Sequence, residues 1–258
     1  MKLDGKVAII TGGGRGIGRA IALSFARAGA KTTLAARTES ELNQVRQEVE
    51  GLGGEALVVV TDVKDSKQAE RMVDRTLEHF GTVDILVNNA GYIHVARVTE
   101  HGIAEWCETI ATNLDGMFYC SLPVLRPMID KGSGRIINLS SVAGVTGWPN
   151  TLAYSASKHG VIGFTKTLAL EVAGYGITVN AICPGVTRTG MSKMAITERA
   201  RLENETYEER LQKVLQAIPQ HKLAEPEDIA AMALYLASEE ASRLTGQAIG
   251  VDCGMAPR

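Results

Sequence analysis

The sequence predicts an α/β protein in which helices cover both faces of a doubly wound parallel sheet. Three observations predict this class. Segments of strand and helix character alternate along nearly the whole chain, the strand segments are rich in valine and isoleucine, and a glycine-rich turn follows the first of them. Apolar strands of this kind are typical of parallel sheets that are buried on both faces. We expect residues 1–258 to form one domain.

Seven short segments carry the strand pattern. The first contains the run Val-Ala-Ile-Ile, which indicates a buried strand. The predicted strands are residues 6–11, 31–36, 56–60, 84–88, 135–139, 177–182 and 247–251.

Helical periodicity marks the segments between the strands. In residues 66–80, for example, Met72, Val73 and Leu77 share one face of a helix. Pro226 stands in the first turn of the last predicted helix, a position that proline favours. The predicted helices are residues 19–27, 40–52, 66–80, 103–128 (one long helix or a pair), 154–173 and 226–237.

The stretch 190–222 departs from this alternation, because it is polar, mostly helix-forming and without a strand pattern. In open α/β sheets, ligands bind beyond the carboxyl ends of the strands. Since the stretch lies just beyond a predicted strand end, we expect it to form a lid over a substrate site.

Composition excludes several function classes. The chain has 258 residues, 45% hydrophobic and 22% charged, as in an ordinary globular protein. Its net charge of −2 gives no bulk attraction to nucleic acid or to an anionic membrane. No signal peptide and no membrane-spanning segment is recognisable. The four cysteines are scattered and the five histidines lack metal-ligand spacing, so we expect a cytoplasmic protein without a metal site.

The turn after the first predicted strand has the composition of a phosphate-binding loop. Glycines let the backbone approach a pyrophosphate, and the following helix offers free N–H groups and a partial positive charge. A glycine-rich turn alone is a weak indication, but its place between a strand and a helix strengthens it. The candidate cofactor-binding residues in this turn are Gly12, Gly14, Arg15, Gly16, Ile17 and Gly18.

Ser141, Tyr154 and Lys158 are the candidate catalytic residues. Their four-residue spacing puts Tyr154 and Lys158 on one face of a predicted helix. A free tyrosine has a pKa of about 10, and a nearby ammonium would lower the pKa of Tyr154 towards a value suited to acid–base catalysis. Ser141 would donate a hydrogen bond to a substrate oxygen on which negative charge develops.

Several ordered motifs resemble those of the short-chain dehydrogenase/reductase family, and the resemblance covers residues 5–254. They are Thr11-Gly12-x-x-x-Gly16-x-Gly18, Asp62-Val63, Asn88-Asn89-Ala90-Gly91, Ser141 with Tyr154-x-x-x-Lys158, and Pro184-Gly185. The resemblance implies a Rossmann-type fold, a nicotinamide cofactor and a homotetramer. It also implies that Asn113 completes the catalytic set by holding a water that relays protons through Lys158. The remaining cofactor contacts that it implies are Asp62, Val63, Asn89, Ala90, Gly91, Tyr154, Lys158, Pro184, Gly185, Val186 and Thr189.

The cofactor is predicted to be NADP(H), with NAD(H) the alternative. NAD-dependent proteins usually carry an acidic residue at the end of the second strand, where it binds the ribose 2′-hydroxyl. Here that position is Ala36, followed by Arg37, and Arg15 lies in the glycine turn. Two guanidiniums would bind a 2′-phosphate through charge-assisted hydrogen bonds. The alternative is that both arginines are ordinary surface residues.

The chain resembles the 3-oxoacyl reductase branch most, so we expect reduction of a 3-oxoacyl-type ketone. Leu170 stands where reductases of carrier-protein thioesters often have arginine, which argues against docking of a carrier protein. A dehydrogenase of a polyol, a cyclic alcohol or another small secondary alcohol remains open. A non-catalytic cofactor-binding regulator is the alternative of another class, and the complete catalytic set argues against it. Candidate pocket residues, for which ordinary packing is an equal alternative, are Tyr92, His94, Trp148 and Met191.

Overall fold

The computed structural model describes residues 2–256, and its strands form one parallel sheet in the order β3-β2-β1-β4-β5-β6-β7. This confirms the predicted doubly wound architecture. The strands are β1 (Val7–Thr11), β2 (Lys31–Ala36), β3 (Ala56–Val60), β4 (Ile85–Asn88), β5 (Gly134–Leu139), β6 (Ile177–Pro184) and β7 (Ala248–Val251).

Helices cover both faces of the sheet. Residues of α1, α2 and α9 pack on one face, and residues of α3, α5 and α6 pack on the other. The helices are α1 (Gly16–Arg27), α2 (Glu39–Gly51), α3 (Ser66–Phe80), α4 (Ile103–Ile110), α5 (Gly116–Lys131), α6 (Leu152–Val172), α7 (Gly190–Glu203), α8 (Tyr207–Ala217) and α9 (Pro226–Ala237).

The strands belong to two cores at once. Ile10 packs in the core under α1 and α9, whereas its neighbour Ile9 packs in the core under α3 and α5. Likewise, Ile85 lies in the first core and Leu86 in the second. Successive side chains of a strand point to opposite faces, so a strand with helices on both sides must be apolar throughout.

The observed elements differ from the prediction mainly at their ends. Helix α1 begins at Gly16 rather than at residue 19, because the two glycines of its first turn carry no apolar signal. The predicted segment 103–128 is α4 and α5, joined by a π-helical turn over Ala111–Asp115 and extended to Lys131. Gly132, with φ +69°, ends α5 in the left-handed conformation.

The segment 190–222 contains α7 and α8, which share a small core of their own. The buried residues of this core are Ile196, Val214, Ile218 and Leu223. A parallel bridge between Thr187 and Ala224 joins the two ends of the segment. These helices therefore form a compact insertion that leaves the sheet just after β6.

Candidate active site

The candidate residues meet at the carboxyl ends of four adjacent strands. Strand β1 leads into the glycine turn, β4 into Asn89, β5 into Ser141, and β6 into Gly185. Because these strands are parallel, all four segments lie at one edge of the sheet. The chain order reverses between β1 and β4, and such a switch point is where open α/β sheets bind ligands.

The glycine turn is tied to the end of β4. The Thr11 hydroxyl accepts hydrogen bonds from the N–H groups of Asn89 (3.0 Å) and Ala90 (3.1 Å). The Asn89 amide donates to the carbonyls of Thr11 (2.9 Å) and Gly12 (3.1 Å). Gly12 has φ +66°, and a Cβ there would lie 2.7 Å from Nδ2 of Asn89. These bonds fix the glycine turn to the segment after β4. The sequence analysis did not predict this role of Thr11.

The start of α1 fits the phosphates of a dinucleotide. A Cβ on Gly18 would overlap the carbonyl oxygen of Gly12, so only glycine allows this close approach. No side chain among residues 2–256 caps the first turn of α1, which leaves its N–H groups for a ligand. Gly16 has φ +53° and faces the Thr189 methyl group, and Ile17 is partly buried against the core.

Arg15 and Arg37 differ in their surroundings. Arg15 is largely exposed and forms a 3.3 Å ion pair with Glu41, whose Cβ would lie 3.0 Å from a Cβ on Gly14. Arg37 follows Ala36 at the end of β2, is exposed, and has no ion-pair partner within residues 2–256. Sequence reasoning missed Glu41, because only the fold brings α2 to the glycine turn.

Asp62 and Val63 follow β3. The Asp62 carboxylate accepts a hydrogen bond from the Lys64 N–H at 3.0 Å. Val63 is 7% exposed and packs on Gly116, where a Cβ would lie 2.8 Å from a Val63 methyl group. Val63 thus contributes to packing in this structure, and the Asp62 side chain is the more open of the pair.

Tyr154, Lys158 and Ser141 are brought together between β5 and α6. Lys158 is 4% exposed, and its ammonium donates a 2.6 Å hydrogen bond to the Leu139 carbonyl. The ammonium lies 5.6 Å from the centre of the Tyr154 ring. The Ser141 hydroxyl accepts a hydrogen bond from the Ala143 N–H, whereas the Ser140 hydroxyl is bound to the Lys158 carbonyl. Ser140 is therefore structural, and Ser141 is the serine beside the tyrosine.

The pKa values of the pair reflect burial. Removal from water raises the pKa of Tyr154, and Cys183 adds to this rise, while the Ser141 hydroxyl opposes it. Burial therefore outweighs the lowering expected from Lys158, and the pKa of Tyr154 lies above its ordinary value rather than below it. Burial also lowers the pKa of Lys158 to about 8.

Asn113 lies in the π-helical turn and is buried. Its amide nitrogen donates to the Tyr92 carbonyl (2.9 Å) and to the Ser157 hydroxyl (3.0 Å), and its amide oxygen accepts from the Tyr92 N–H (2.7 Å). Gly91 adjoins it, since a Cβ there would lie 3.5 Å from the Asn113 oxygen and 3.8 Å from Nζ of Lys158. The Asn113 side chain thus holds the segment after β4 against α6.

The end of β6 leads into the insertion. Pro184 pairs with Val251 of β7. Gly185 lies against Asp252, because a Cβ added to Gly185 would be only 2.8 Å from the Cα of Asp252. Val186 packs on the small core of α7 and α8. Thr189 caps α7, because its hydroxyl accepts a 3.2 Å hydrogen bond from the Ser192 N–H.

The four candidate pocket residues have different settings. Tyr92 is bound through its backbone to Asn113, and the His94 ring stacks against His101 with centres 5.3 Å apart. Met191 is partly exposed in the first turn of α7. Trp148 lies in the loop between Ser141 and Tyr154, and the Arg199 guanidinium covers its ring at 5.3 Å.

The described chain lacks the side-chain cluster of a metal site and the helix of a membrane span. Residues 2–256 contain no cluster of three or more side chains able to hold a metal ion. Among their helices, none is long and apolar enough to span a membrane.

The fold and the site together define the class of protein. A glycine turn at the switch point of a doubly wound parallel sheet, with a half-buried tyrosine and a buried lysine beside it, is the arrangement of a dinucleotide-dependent oxidoreductase. The family model described as short chain dehydrogenase matches residues 6–200. The chain belongs to the short-chain dehydrogenase family, and it is an NAD(P)-dependent dehydrogenase/reductase.

Similar proteins support this assignment over the full length. The 3-oxoacyl-[acyl-carrier-protein] reductase FabG of Thermotoga maritima is 39% identical over 255 residues, covering 99% of each chain. A solved actinorhodin polyketide ketoreductase variant with NADPH is 36% identical, with a TM-score of 0.95 over 98% of each chain. NAD+-bound xylitol dehydrogenase is 32% identical, with a TM-score of 0.96 over 98% of this chain and 100% of that chain. The resemblance to the 3-oxoacyl reductase branch is thereby confirmed.

Proposed function

We propose that this protein is an NADP(H)-dependent oxidoreductase that interconverts a ketone and a secondary alcohol, with a 3-oxoacyl-type ketone as its first candidate substrate. The observation that carries the proposal is the cluster of Ser141, Tyr154 and Lys158 beside the carboxyl end of β5, in which Ser141 and Lys158 are buried and Tyr154 is half-buried. A bound nicotinamide would supply or accept the hydride. The protein supplies the proton, the orientation and the shielding from water.

Tyr154 is the acid and base of the proposed reaction. During reduction its hydroxyl donates a proton to the substrate oxygen, and during oxidation its phenolate removes that proton. Its pKa is raised by burial, so the hydroxyl is protonated and ready to donate at neutral pH. Ser141 donates a second hydrogen bond to the same oxygen. Lys158 contributes a buried positive charge 5.6 Å from the ring centre, which favours the phenolate once it forms.

Asn113 has a more limited proposed role. Both ends of its amide are occupied by Tyr92 and Ser157, so a relay water would need another atom to bind it. We propose that Asn113 holds the π-helical turn beside Lys158. The main chain of this turn, rather than the side-chain amide of Asn113, would then face the relay water.

The choice of NADP(H) rests on the charges near the glycine turn. Arg37 has no acidic partner within residues 2–256, and Arg15 has only the exposed pair with Glu41. An exposed ion pair of this kind contributes about 0–1 kcal/mol, so Arg15 can exchange Glu41 for a phosphate at little cost. The NADPH of the ketoreductase structure supports this proposal, whereas the NAD+ of the xylitol dehydrogenase structure keeps NAD(H) as the alternative.

The names of the relatives support reduction of a 3-oxoacyl group, and xylitol dehydrogenase supports oxidation of a polyol as the second candidate. A non-catalytic regulator is disfavoured, since each catalytic side chain is present. Leu170 is 84% exposed on α6, and an apolar surface there does not complement an acidic carrier protein. A free or CoA-linked substrate therefore fits this chain better.

The proposal also includes a lid, an oligomeric state and a location in the cell. Helices α7 and α8 act as the lid of one catalytic domain, because they begin at Thr189, which is also a proposed cofactor contact. The chain forms a homotetramer, because α4, α5 and α6 expose large apolar side chains. We propose a cytoplasmic location, in keeping with cysteines that are all free thiols in the described chain.

The test of the proposed function is the variant Tyr154→Phe, which removes the proton donor and keeps the ring. We expect turnover of a ketone panel with NADPH to fall by at least about 100-fold, because general acid catalysis contributes 10²–10⁴-fold. Binding of NADPH, followed by fluorescence, should change little. Retained turnover in this variant would exclude Tyr154 as the acid, and turnover by neither protein would favour the regulator.

A further inference from the structure

A second cluster of charge lies where the insertion meets the loop before α6. Arg199 of α7 and Arg210 of α8 line an open pocket of about 410 Å³ together with Glu203 and the loop residues Thr146, Gly147, Trp148, Pro149 and Asn150. No residue of this pocket is among the predicted site residues, and only Trp148 was singled out as a possible pocket residue.

Arg199 is buried and forms no ion pair within residues 2–256, although the charge of Glu203 acts on it from further away. It is 9% exposed, and one end of its guanidinium donates a 2.9 Å hydrogen bond to the Pro149 carbonyl. The flat face lies over the Trp148 ring, and the buried Nε has no hydrogen-bond partner within residues 2–256. Buried charges are normally paired, so this guanidinium lacks the partner that its environment calls for.

Arg210 adds a second positive charge. Its guanidinium forms ion pairs with Glu203 at 2.7 Å and with Glu205 at 4.0 Å, and its Nε is likewise buried without a hydrogen-bond partner among the described residues. Two arginines and one glutamate give the pocket lining a net charge of +1. Burial and the repulsion from Arg210 lower the pKa of Arg199 to about 10, so it remains charged at neutral pH. An anion in this pocket would relieve that repulsion.

The pocket is close to the catalytic residues. Its loop connects Ser141 to Tyr154, and Asn150 precedes Tyr154 by only four residues. The Cα atoms of Asn150 and Tyr154 are therefore at most about 14 Å apart. The pocket and Tyr154 therefore share one short segment of the chain, and Arg199 meets that segment at the Pro149 carbonyl.

We propose that Arg199 and Arg210 bind the anionic end of the substrate, so that the enzyme prefers ketones or alcohols that carry a carboxylate or a phosphate. This inference rests on the proposed oxidoreductase function and names its substrate class. Guanidiniums suit both groups, because their N–H donors match the two oxygens of a carboxylate or a phosphate. Since Arg199 belongs to α7, the anion would also hold the insertion against the loop that carries Trp148.

The test compares charged and neutral ketones of the same skeleton. Acetoacetate and ethyl acetoacetate form the carboxylate pair, and dihydroxyacetone phosphate and dihydroxyacetone form the phosphate pair. Arg199→Gln and Arg210→Gln should each lower kcat/KM for the preferred charged ketone by about 10–100-fold, mainly through KM, because each removes a charge-assisted hydrogen bond. The neutral partner should change by less than about threefold. Arg201→Gln is the matched control, since Arg201 lies on the same helix and is exposed.

Glu203→Gln gives an opposite expectation. It removes the negative charge that competes for Arg210, so kcat/KM for the charged ketone should rise. Arg210→Gln leaves the bond from Arg199 to the Pro149 carbonyl in place, and Glu203→Gln removes the ion pair of Arg210 while keeping its charge, so the two variants together separate anion binding from a structural role. Equal losses for the charged and the neutral ketone would overturn the proposal, and so would a wild-type preference for the neutral one.

A binding measurement keeps this inference apart from the proposed function. Titration of Trp106→Phe, which keeps Trp148 as the one tryptophan of the chain, with acetoacetate and with inorganic phosphate at constant ionic strength should change its fluorescence with saturation. The change should be lost in Arg210→Gln. Saturable binding without turnover of any ketone would leave the anion site standing and overturn the proposed function. Turnover of the neutral ketones without saturable binding of either anion would overturn the anion site and leave the proposed oxidoreductase function standing.

Discussion

Lys158 is a charged side chain that the fold removes almost entirely from water. Its ammonium is bound by one carbonyl, that of Leu139, and faces the Tyr154 ring. A charge in this position is destabilised, which is why its pKa falls to about 8. Perturbed pKa values of this kind are concentrated at functional sites, where catalysis needs them.

Lys158 should make the stability of the protein depend on alkaline pH. Its pKa is about 8 in the folded chain against 10.5 for the ordinary value, so the unfolded chain binds the proton more tightly. Stability therefore rises as pH increases through this window, by about 2 kcal/mol between about pH 7.5 and about pH 9.5. Urea unfolding of the wild type and of Lys158→Met at both pH values measures this rise in the free energy of unfolding. The rise should be missing in the variant, and an equal rise in both proteins would contradict this origin.

Arg37 should decide between the two nicotinamide cofactors. Arg37→Asp replaces an unpaired guanidinium with a carboxylate that repels a 2′-phosphate. We expect NADPH to bind about 10–100-fold more weakly and NADH to bind about as before, as measured by fluorescence titration. Arg75→Asp on α3 makes the same change of charge outside the proposed site and serves as the control. Equal weakening of both cofactors by Arg37→Asp would exclude a 2′-phosphate contact.

The elements of the site depend on close backbone contacts as much as on side chains. The turn before α1 can pass under β4 only because Gly12 and Gly18 lack a Cβ. Helix α7 begins with a capping box between Thr189 and Ser192, so the insertion starts at a proposed cofactor contact. A cofactor bound at Thr189 would therefore contact the residue with which the insertion begins.

Gly18→Ala tests the contact between the glycine turn and α1. The added Cβ would overlap the Gly12 carbonyl and lie 2.6 Å from the Asn89 amide. Overpacking of this kind costs about 1–3 kcal/mol, and displacement of the turn should also weaken NADPH binding. Gly51→Ala is the control, because a Cβ on this residue of α2 meets nothing within 4 Å. Thermal unfolding should show a lower midpoint only for Gly18→Ala, and similar midpoints for both variants would refute the contact.

At the scale of the whole molecule, three helices expose large apolar side chains to solvent. Ile103 and Trp106 of α4, Phe118 and Leu122 of α5, and Leu170 of α6 are all exposed. Val124, two residues after Leu122, is buried, so the apolar run of α5 serves the core and the surface at once. Large exposed apolar patches mark sites of protein–protein association.

Phe118→Glu combined with Leu122→Glu should break the proposed tetramer. Two carboxylates cannot be buried in an apolar contact without a large cost, so light scattering should report a smaller assembly. Leu52→Glu is the control, since Leu52 is 44% exposed at the end of α2, away from this surface. A wild-type protein that is already monomeric would contradict the proposal.

What the sequence determined by itself is local. The alternation of apolar patterns predicted the sheet and most of its helices, because burial on both faces imposes those patterns residue by residue. Glycines and a tyrosine–lysine spacing indicated the two halves of the site, because each of these motifs lies within one short segment of the chain. The π-helical turn at Asn113 left no such pattern, since its distortion follows from hydrogen bonds to Tyr92 and Ser157.

The tertiary structure alone decided which distant residues meet. Glu41 reaches Arg15, Lys158 binds the Leu139 carbonyl, and Arg199 covers Trp148. None of these contacts has a sequence signal, because the partners lie on different elements whose separation is set by packing of the helices on the sheet. The burial that raises the pKa of Tyr154 and lowers that of Lys158 has the same origin. It is a property of the assembled crevice, where parallel strands end side by side and water is excluded.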